Sequence, residues 1–122
     1  MNNKTYWGYH LILDCSNCNY KKITDVDNIK EFLNKLIPAI NMVAHGEPII
    51  EFLLPGEDNQ GYSVLQMITT SNITAHFVNR DSAGYIDIFS CKQFNTEIAY
   101  DYVREFFEPT NIKQQLIFRQ AD

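Results

Sequence analysis

Met67–Cys91 reads MITTSNITAHFVNRDSAGYIDIFSC, and its alternation decides the fold. Ile73, Ala75 and Phe77 recur at every second position before the polar run Asn79–Gly84, and Tyr85, Ile86, Ile88 and Phe89 follow it. Period two sends neighbouring side chains to opposite sheet faces, so the stretch predicts two strands, Asn72–Val78 and Ala83–Ser90, joined as a hairpin. The same residues carry a hydroxyl nucleophile at the start of the first strand (Ser71), a histidine (His76) and a cysteine (Cys91). The hairpin is expected to bring His76 and Cys91 near one end of the sheet.

On either side of this hairpin the chain supplies further strands and two helices. Tyr6–Asp14 alternates and is rich in aromatic and branched residues, which predicts a strand, and Cys15–Lys22 reads as a polar loop. Thr24-Asp25-Val26-Asp27 offers caps for a helix to about Val43. Its Ile29, Phe32, Leu33, Leu36, Ile37 and Ile40 form one apolar stripe, and Pro38 is expected to kink or split it. Pro48–Leu54 and Tyr62–Thr69 read as strands around the loop Pro55–Gly61. Asn95 or Thr96 caps a second helix, with Ile98, Tyr102, Val103, Phe106 and Phe107 facing inward, and Pro109 ends it. Ile112–Arg119 is a closing strand. The order β-α-β-β-β-β-α-β predicts one α+β domain over residues 1–122: a two-layer α/β sandwich, its mostly antiparallel sheet carrying two helices on one face.

Composition narrows the class. The chain has 122 residues, 45% hydrophobic and 20% charged, as in a globular domain with a modest core. Fifteen acidic residues against ten basic ones give a net charge of −5, which argues against nucleic acid or an anionic membrane as partner. No apolar run approaches the roughly 20 residues that span a bilayer. Met1–Thr5 leads into a strand rather than a signal-peptide core, so the expected location is the cytoplasm. Three cysteines do not build a disulfide framework. Cys15-Ser16-Asn17-Cys18 has neither a closely following helix nor a second ligand pair, and reads as two reduced thiols in a loop, with no metal.

Taken singly, a serine at a strand start is usually a solvated hydroxyl, and a histidine or cysteine in a strand is usually packing. Their joint spacing is more specific. Thr69-Thr70-Ser71-Asn72-Ile73-Thr74-Ala75-His76 resembles the pattern A-E-S-H-I-S-I-H of the small prokaryotic, self-processing S-adenosylmethionine decarboxylases. Ile86-Asp87-Ile88-Phe89-Ser90-Cys91 falls on that family's V-D-x-F-T-C at the same spacing, Gly8–Asp14 on its G-x-H-L-x-x-D, and Gly61-Tyr62-Ser63 on its G-V-S. The likeness runs from residue 7 to about 119.

The resemblance implies a homodimer with active sites near the interface, and a covalent pyruvoyl cofactor made from Ser71. Cleavage between Thr70 and Ser71 would leave a β chain of residues 1–70 and an α chain of 71–122. By the same resemblance His76 is the base for the Ser71 Cα proton, Ser63 a hydroxyl that supports processing, and Cys91 the proton donor during decarboxylation. A free thiol, with a pKa of about 8.5, is mostly protonated at neutral pH and suits that role. The implied substrate is a small molecule, S-adenosylmethionine, used for spermidine synthesis.

The departures from the pattern cluster in substrate recognition. Thr70 and Asn72 replace a glutamate and a histidine beside the serine, and Lys92 replaces a glycine. Arg80 stands where the family has a glutamate for the ribose hydroxyls; a guanidinium cannot accept those bonds, and Asp81 is the neighbouring substitute. Phe52 is the nearest aromatic for adenine, displaced by the longer loop Pro55–Gln60. Three readings follow: an S-adenosylmethionine decarboxylase, a pyruvoyl enzyme for arginine or ornithine with Arg80 or Lys92 on a carboxylate, or an unprocessed, non-catalytic homologue. Glu57, Asp58 and Asp101 read as solvated charge rather than a diamine site.

Overall fold

A computed structural model of the protein describes residues 5–122; the segment 1–4, expected to lead into the first strand, lies outside them. The elements are β1 (Gly8–Ser16), α1 (Tyr20–Ile23), α2 (Val26–Ala39), β2 (Ile49–Leu53), β3 (Gly61–Ile68), β4 (Ser71–Val78), β5 (Ala83–Ser90), α3 (Thr96–Phe107) and β6 (Asn111–Arg119). The six strands form one sheet in the order β2-β3-β4-β5-β1-β6, with every neighbouring pair antiparallel. The two-layer α+β expectation is met.

Capping and periodicity explain the helices. The Asp25 carboxylate accepts from the N–H groups of Asp27 and Asn28, satisfying donors that the first turn leaves open. Ile29, Phe32, Leu33, Leu36 and Ile37 are buried along one stripe. Pro38 does not kink this helix in mid-course: it sits in the last turn, and the helix stops at Ala39 rather than Val43. Its ring and missing N–H are tolerated there because little helix follows. Asn95 caps α3 in the same way, bonding Glu97 and Ile98, and Ala99, Val103 and Phe107 point inward. The Phe107 ring lies 4.8 Å from both Phe32 and Phe77, locking the two long helices onto β4. Truncating Phe107 to Ala is expected to cost about 3–5 kcal/mol.

The segment read as a polar loop contains the short helix α1. Asn19 caps it, and this one turn follows Cys18 closely, contrary to the sequence expectation. Cys15 and Cys18 are both buried free thiols. Their mutual hydrogen bond and their burial push the Cys15 thiol far up, so it stays protonated.

Each strand splits its residues between two environments. Leu11, Leu13, Ile73, Phe77, Ile86 and Ile88 lie under the helices. The opposite face has no covering layer among the described residues, and Leu65, Met67, Tyr85 and Ile117 stand 41–54% exposed there. No helix among the described residues is long and apolar enough to cross a membrane.

Candidate active site

Ser71 is the first residue of β4, paired with Ile68 across a two-residue turn, Thr69-Thr70. The Thr70–Ser71 peptide bond therefore lies where a tight hairpin turn meets its strand. Segment 41–45 braces this turn: the Thr69 N–H donates to the Val43 carbonyl (2.9 Å), His45 N–H to Met67 (2.9 Å), and Ala44 bridges Ile68.

The other wall is the end of β5. Ser90 lies directly opposite Ser71, and the next residue, Cys91, donates its backbone N–H to the Thr70 carbonyl oxygen at 3.0 Å. That carbonyl is the one a Ser71 hydroxyl would attack. A backbone donor already in place on it is what an oxyanion formed there requires. The Cys91 side chain is exposed beside it. Ser71 Oγ accepts from Asn72 Nδ2 at 3.3 Å, and Lys92 Nζ donates to the Asn41 carbonyl at 2.8 Å.

His76 and Ser63 form a second cluster. They are cross-strand partners, with Ser63 Oγ 2.6 Å from His76 Nδ1, while Nε2 sits 3.1 Å from the Asn59 carbonyl. A carbonyl only accepts, so the neutral ring carries its proton on Nε2, and Nδ1 accepts from the Ser63 hydroxyl. Gly61 lets β3 start this close to β4: a Cβ there would come within 1.7 Å of the Phe77 carbonyl oxygen. Both side chains point to the uncovered sheet face, in register with Tyr85.

The hairpin does not bring His76 and Cys91 together. His76 pairs with Tyr85, near the turn, whereas Cys91 follows Ser90 at the far end, opposite Ser71. His76 lies five positions after Ser71, or roughly 16 Å along a strand, and an odd spacing puts the side chains on opposite faces. Each chain thus carries two separate clusters, Ser71 with Cys91 and Ser63 with His76.

The residues expected at the substrate are dispersed. Phe52 is on edge strand β2, its ring 5.4 Å from Tyr62, at the opposite end of β3 from the Ser71 turn. Arg80 and Asp81 occupy the turn between β4 and β5, where Arg80 forks onto Asp81 (3.0 and 3.2 Å) and reaches Asp58 at 3.3 Å. The fork, chiefly through its hydrogen bonds, holds the Asp81 carboxyl below its ordinary range and the guanidinium above. In the sequence Ser90 carries no role beyond matching the threonine of V-D-x-F-T-C. A second signal is a polar residue at an inward position of a strand otherwise carrying Ile86 and Ile88.

Comparisons with known proteins identify the family. The family model for S-adenosylmethionine decarboxylase matches residues 9–120. The chain belongs to the S-adenosylmethionine decarboxylase family. An S-adenosylmethionine decarboxylase proenzyme of Clostridium botulinum (strain Langeland) is 32% identical over 114 residues, covering 91% of this chain and 94% of its own. One from Geobacillus kaustophilus is 28% identical over 99 residues, covering 80% of this chain and 75% of its own. The crystal structure of the adenosylmethionine decarboxylase from Aquifex aeolicus has the same fold, with a TM-score of 0.78 at 20% identity over 98% of this chain and 95% of that one.

Proposed function

We propose that this chain is a carboxy-lyase proenzyme that cuts itself between Thr70 and Ser71 and then decarboxylates S-adenosylmethionine for polyamine synthesis. The observation that carries this reading is the Cys91 N–H bonded to the carbonyl of the Thr70–Ser71 peptide, at a hairpin turn held from both sides. Ser71 would supply the atoms of the pyruvoyl group, and the donors around Thr70 and Ser71 fit its formation. Once formed, that group supplies an electron sink for loss of carbon dioxide from a bound amine. Cys91 stands beside it as the proton donor, while Ser90 and segment 41–45 hold the turn.

The split between the two clusters supports a homodimer. Stacked sheets pack about 10 Å apart, and here the face displaying Ser63 and His76 is the uncovered one, bearing exposed Leu65, Met67 and Tyr85. With a second copy on that face, a two-fold axis would lay the second copy's Ser63–His76 pair against the backbone turn at Thr70–Ser71, at the sheet's end, and the exchange is reciprocal. The pair then acts as hydroxyl and base in processing.

Family membership favours S-adenosylmethionine over arginine or ornithine as substrate. Arg80 is engaged by two aspartates and Lys92 by the Asn41 carbonyl. Asp81, in a turn, is the acceptor offered to ribose hydroxyls, with Phe52 the aromatic expected for adenine. The substrate is a small molecule and the compartment the cytoplasm.

Denaturing mass spectrometry tests the processing: two fragments, the second beginning at a pyruvoyl-blocked position 71, are expected. A single intact chain would reinstate the non-catalytic reading. Carbon dioxide release from S-adenosylmethionine, and none from arginine or ornithine, completes the assignment.

A further inference from the structure

We propose that Ser90 is a positioning residue for the self-cleavage, aiming the Cys91 N–H at the carbonyl that Ser71 attacks. The inference rests on the processing reading above and adds a residue to it.

Ser90 is fully buried, with 0% of its surface exposed, on the helix-covered face of β5. An unsatisfied hydroxyl in that position would destabilise the sheet, so its bonds are informative. Ser90 Oγ accepts from the Lys92 N–H at 2.9 Å and donates to Thr70 Oγ1 at 2.8 Å. Thr70 Oγ1 in turn donates to the Met42 thioether at 3.3 Å. One hydroxyl thus fastens both the residue that owns the scissile carbonyl and the segment that carries its Cys91 N–H donor.

The bond to Lys92 N–H is a side-chain turn over two residues, which bends the chain just after β5. That bend presents the intervening Cys91 N–H to the Thr70 carbonyl oxygen at 3.0 Å. The bond to Thr70 Oγ1 fixes the residue that owns this carbonyl. Donor and acceptor are thereby oriented before any charge develops.

In the first step of processing, the acyl shift that precedes scission, Ser71 Oγ adds to the Thr70 carbonyl carbon, and a C–O bond forms while the C–N bond breaks. The hydroxyl proton ends on the Ser71 nitrogen, leaving an ester and an amine with no oxidant or reductant consumed. Between these states the Thr70 oxygen carries the negative charge. A donor aligned in advance stabilises that charge without reorganising. Ser90 touches neither reacting atom and acts through Cys91 and Thr70.

The test follows cleavage of freshly synthesised full-length chain by denaturing electrophoresis, beside circular dichroism melting of the same variants. Ser90→Ala is expected to slow cleavage on the order of 10- to 100-fold. Ser90→Thr, which keeps the hydroxyl against the flexible Met42, is expected to restore it to within about threefold of wild type. Hydroxylamine, which cuts esters but not peptides, is expected not to rescue Ser90→Ala, because ester formation is the slowed step. Wild-type cleavage rates in a folded Ser90→Ala chain overturn the proposal while leaving self-processing intact. So does rescue by hydroxylamine, which would move Ser90 to a later step. If wild type itself stays whole, the processing reading fails first. Should Ser90→Ala not fold, Thr70→Val decides: it preserves shape and removes the partner hydroxyl, and unchanged cleavage there also overturns the proposal.

Discussion

The two ends of β4 are built on opposite principles. At Ser71 the chain is bonded on every side: Cys91 and Ser90 from β5, segment 41–45 from below, and a buried hydroxyl chain running from Lys92 N–H to Met42. At Asn79–Ser82 the turn is exposed and held by an ion-pair fork, with Asp58 reaching in from the loop between β2 and β3. The first end keeps the family pattern in Ser71 and Cys91. The second replaces an acceptor by a cation. Making a pyruvoyl needs donors placed to within tenths of an ångström, which only dense bonding supplies. Recognising a substrate rim tolerates exchange of one solvated group for another.

The largest effect belongs to the bonded end. Ser71→Ala removes the attacking oxygen, so the chain is expected to remain 122 residues long on denaturing mass spectrometry. All carbon dioxide release is lost with it. A cleaved Ser71→Ala chain would disprove the assignment of the scissile bond.

Cys91 contributes two atoms with separate tasks, and Cys91→Ala separates them. The backbone N–H on Thr70 survives, so cleavage is expected within about threefold of wild type, since side-chain removal leaves that donor in place. The thiol is gone, so turnover of the processed enzyme is expected to fall about 10²- to 10³-fold. A variant that fails to cleave would show that the thiol, not the N–H, serves processing.

Next in size is a complementation. Ser71→Ala and His76→Ala chains are each expected to be inactive, but in a mixed dimer one of the two shared sites is whole. Co-expression is expected to recover roughly a quarter of wild-type activity, half the dimers being mixed with one site in each. No recovery, from chains that form mixed dimers by native mass spectrometry, would return Ser63 and His76 to a role within their own chain.

The sequence revealed some of this arrangement more readily than the rest, for a physical reason. Stripes such as Ile29–Ile37 and alternations such as Ile73–Phe77 repeat a local geometry, so elements and inward faces were readable, as was Ser71 at a strand start. Register is not local. That His76 faces Tyr85 and Ser90 faces Ser71 depends on which residues form the two turns, Thr69-Thr70 and Asn79–Ser82. Pro38 looked like a kink because its helix was read too long, and Asn41, at φ 60°, marks the left-handed stop beyond it. The fork between Arg80 and Asp58 joins two loops, which no periodicity encodes.

The smallest effect probes the exposed end. Arg80 offers donors only, and its fork occupies the Asp81 oxygens that a ribose diol would use. Arg80→Glu releases that carboxylate and adds two acceptor oxygens at the turn. Because the change lies far from the bonds made and broken at Ser71, it is expected to act on ground-state and transition-state binding alike. KM for S-adenosylmethionine should fall about three- to tenfold with kcat unchanged. Exposed ion pairs contribute little to folding, so the melting temperature should move by no more than about 2 °C. A KM that stays constant or rises would mean that the fork itself shapes the site, holding Asp81 in its working orientation, and that Arg80 belongs to recognition in this chain.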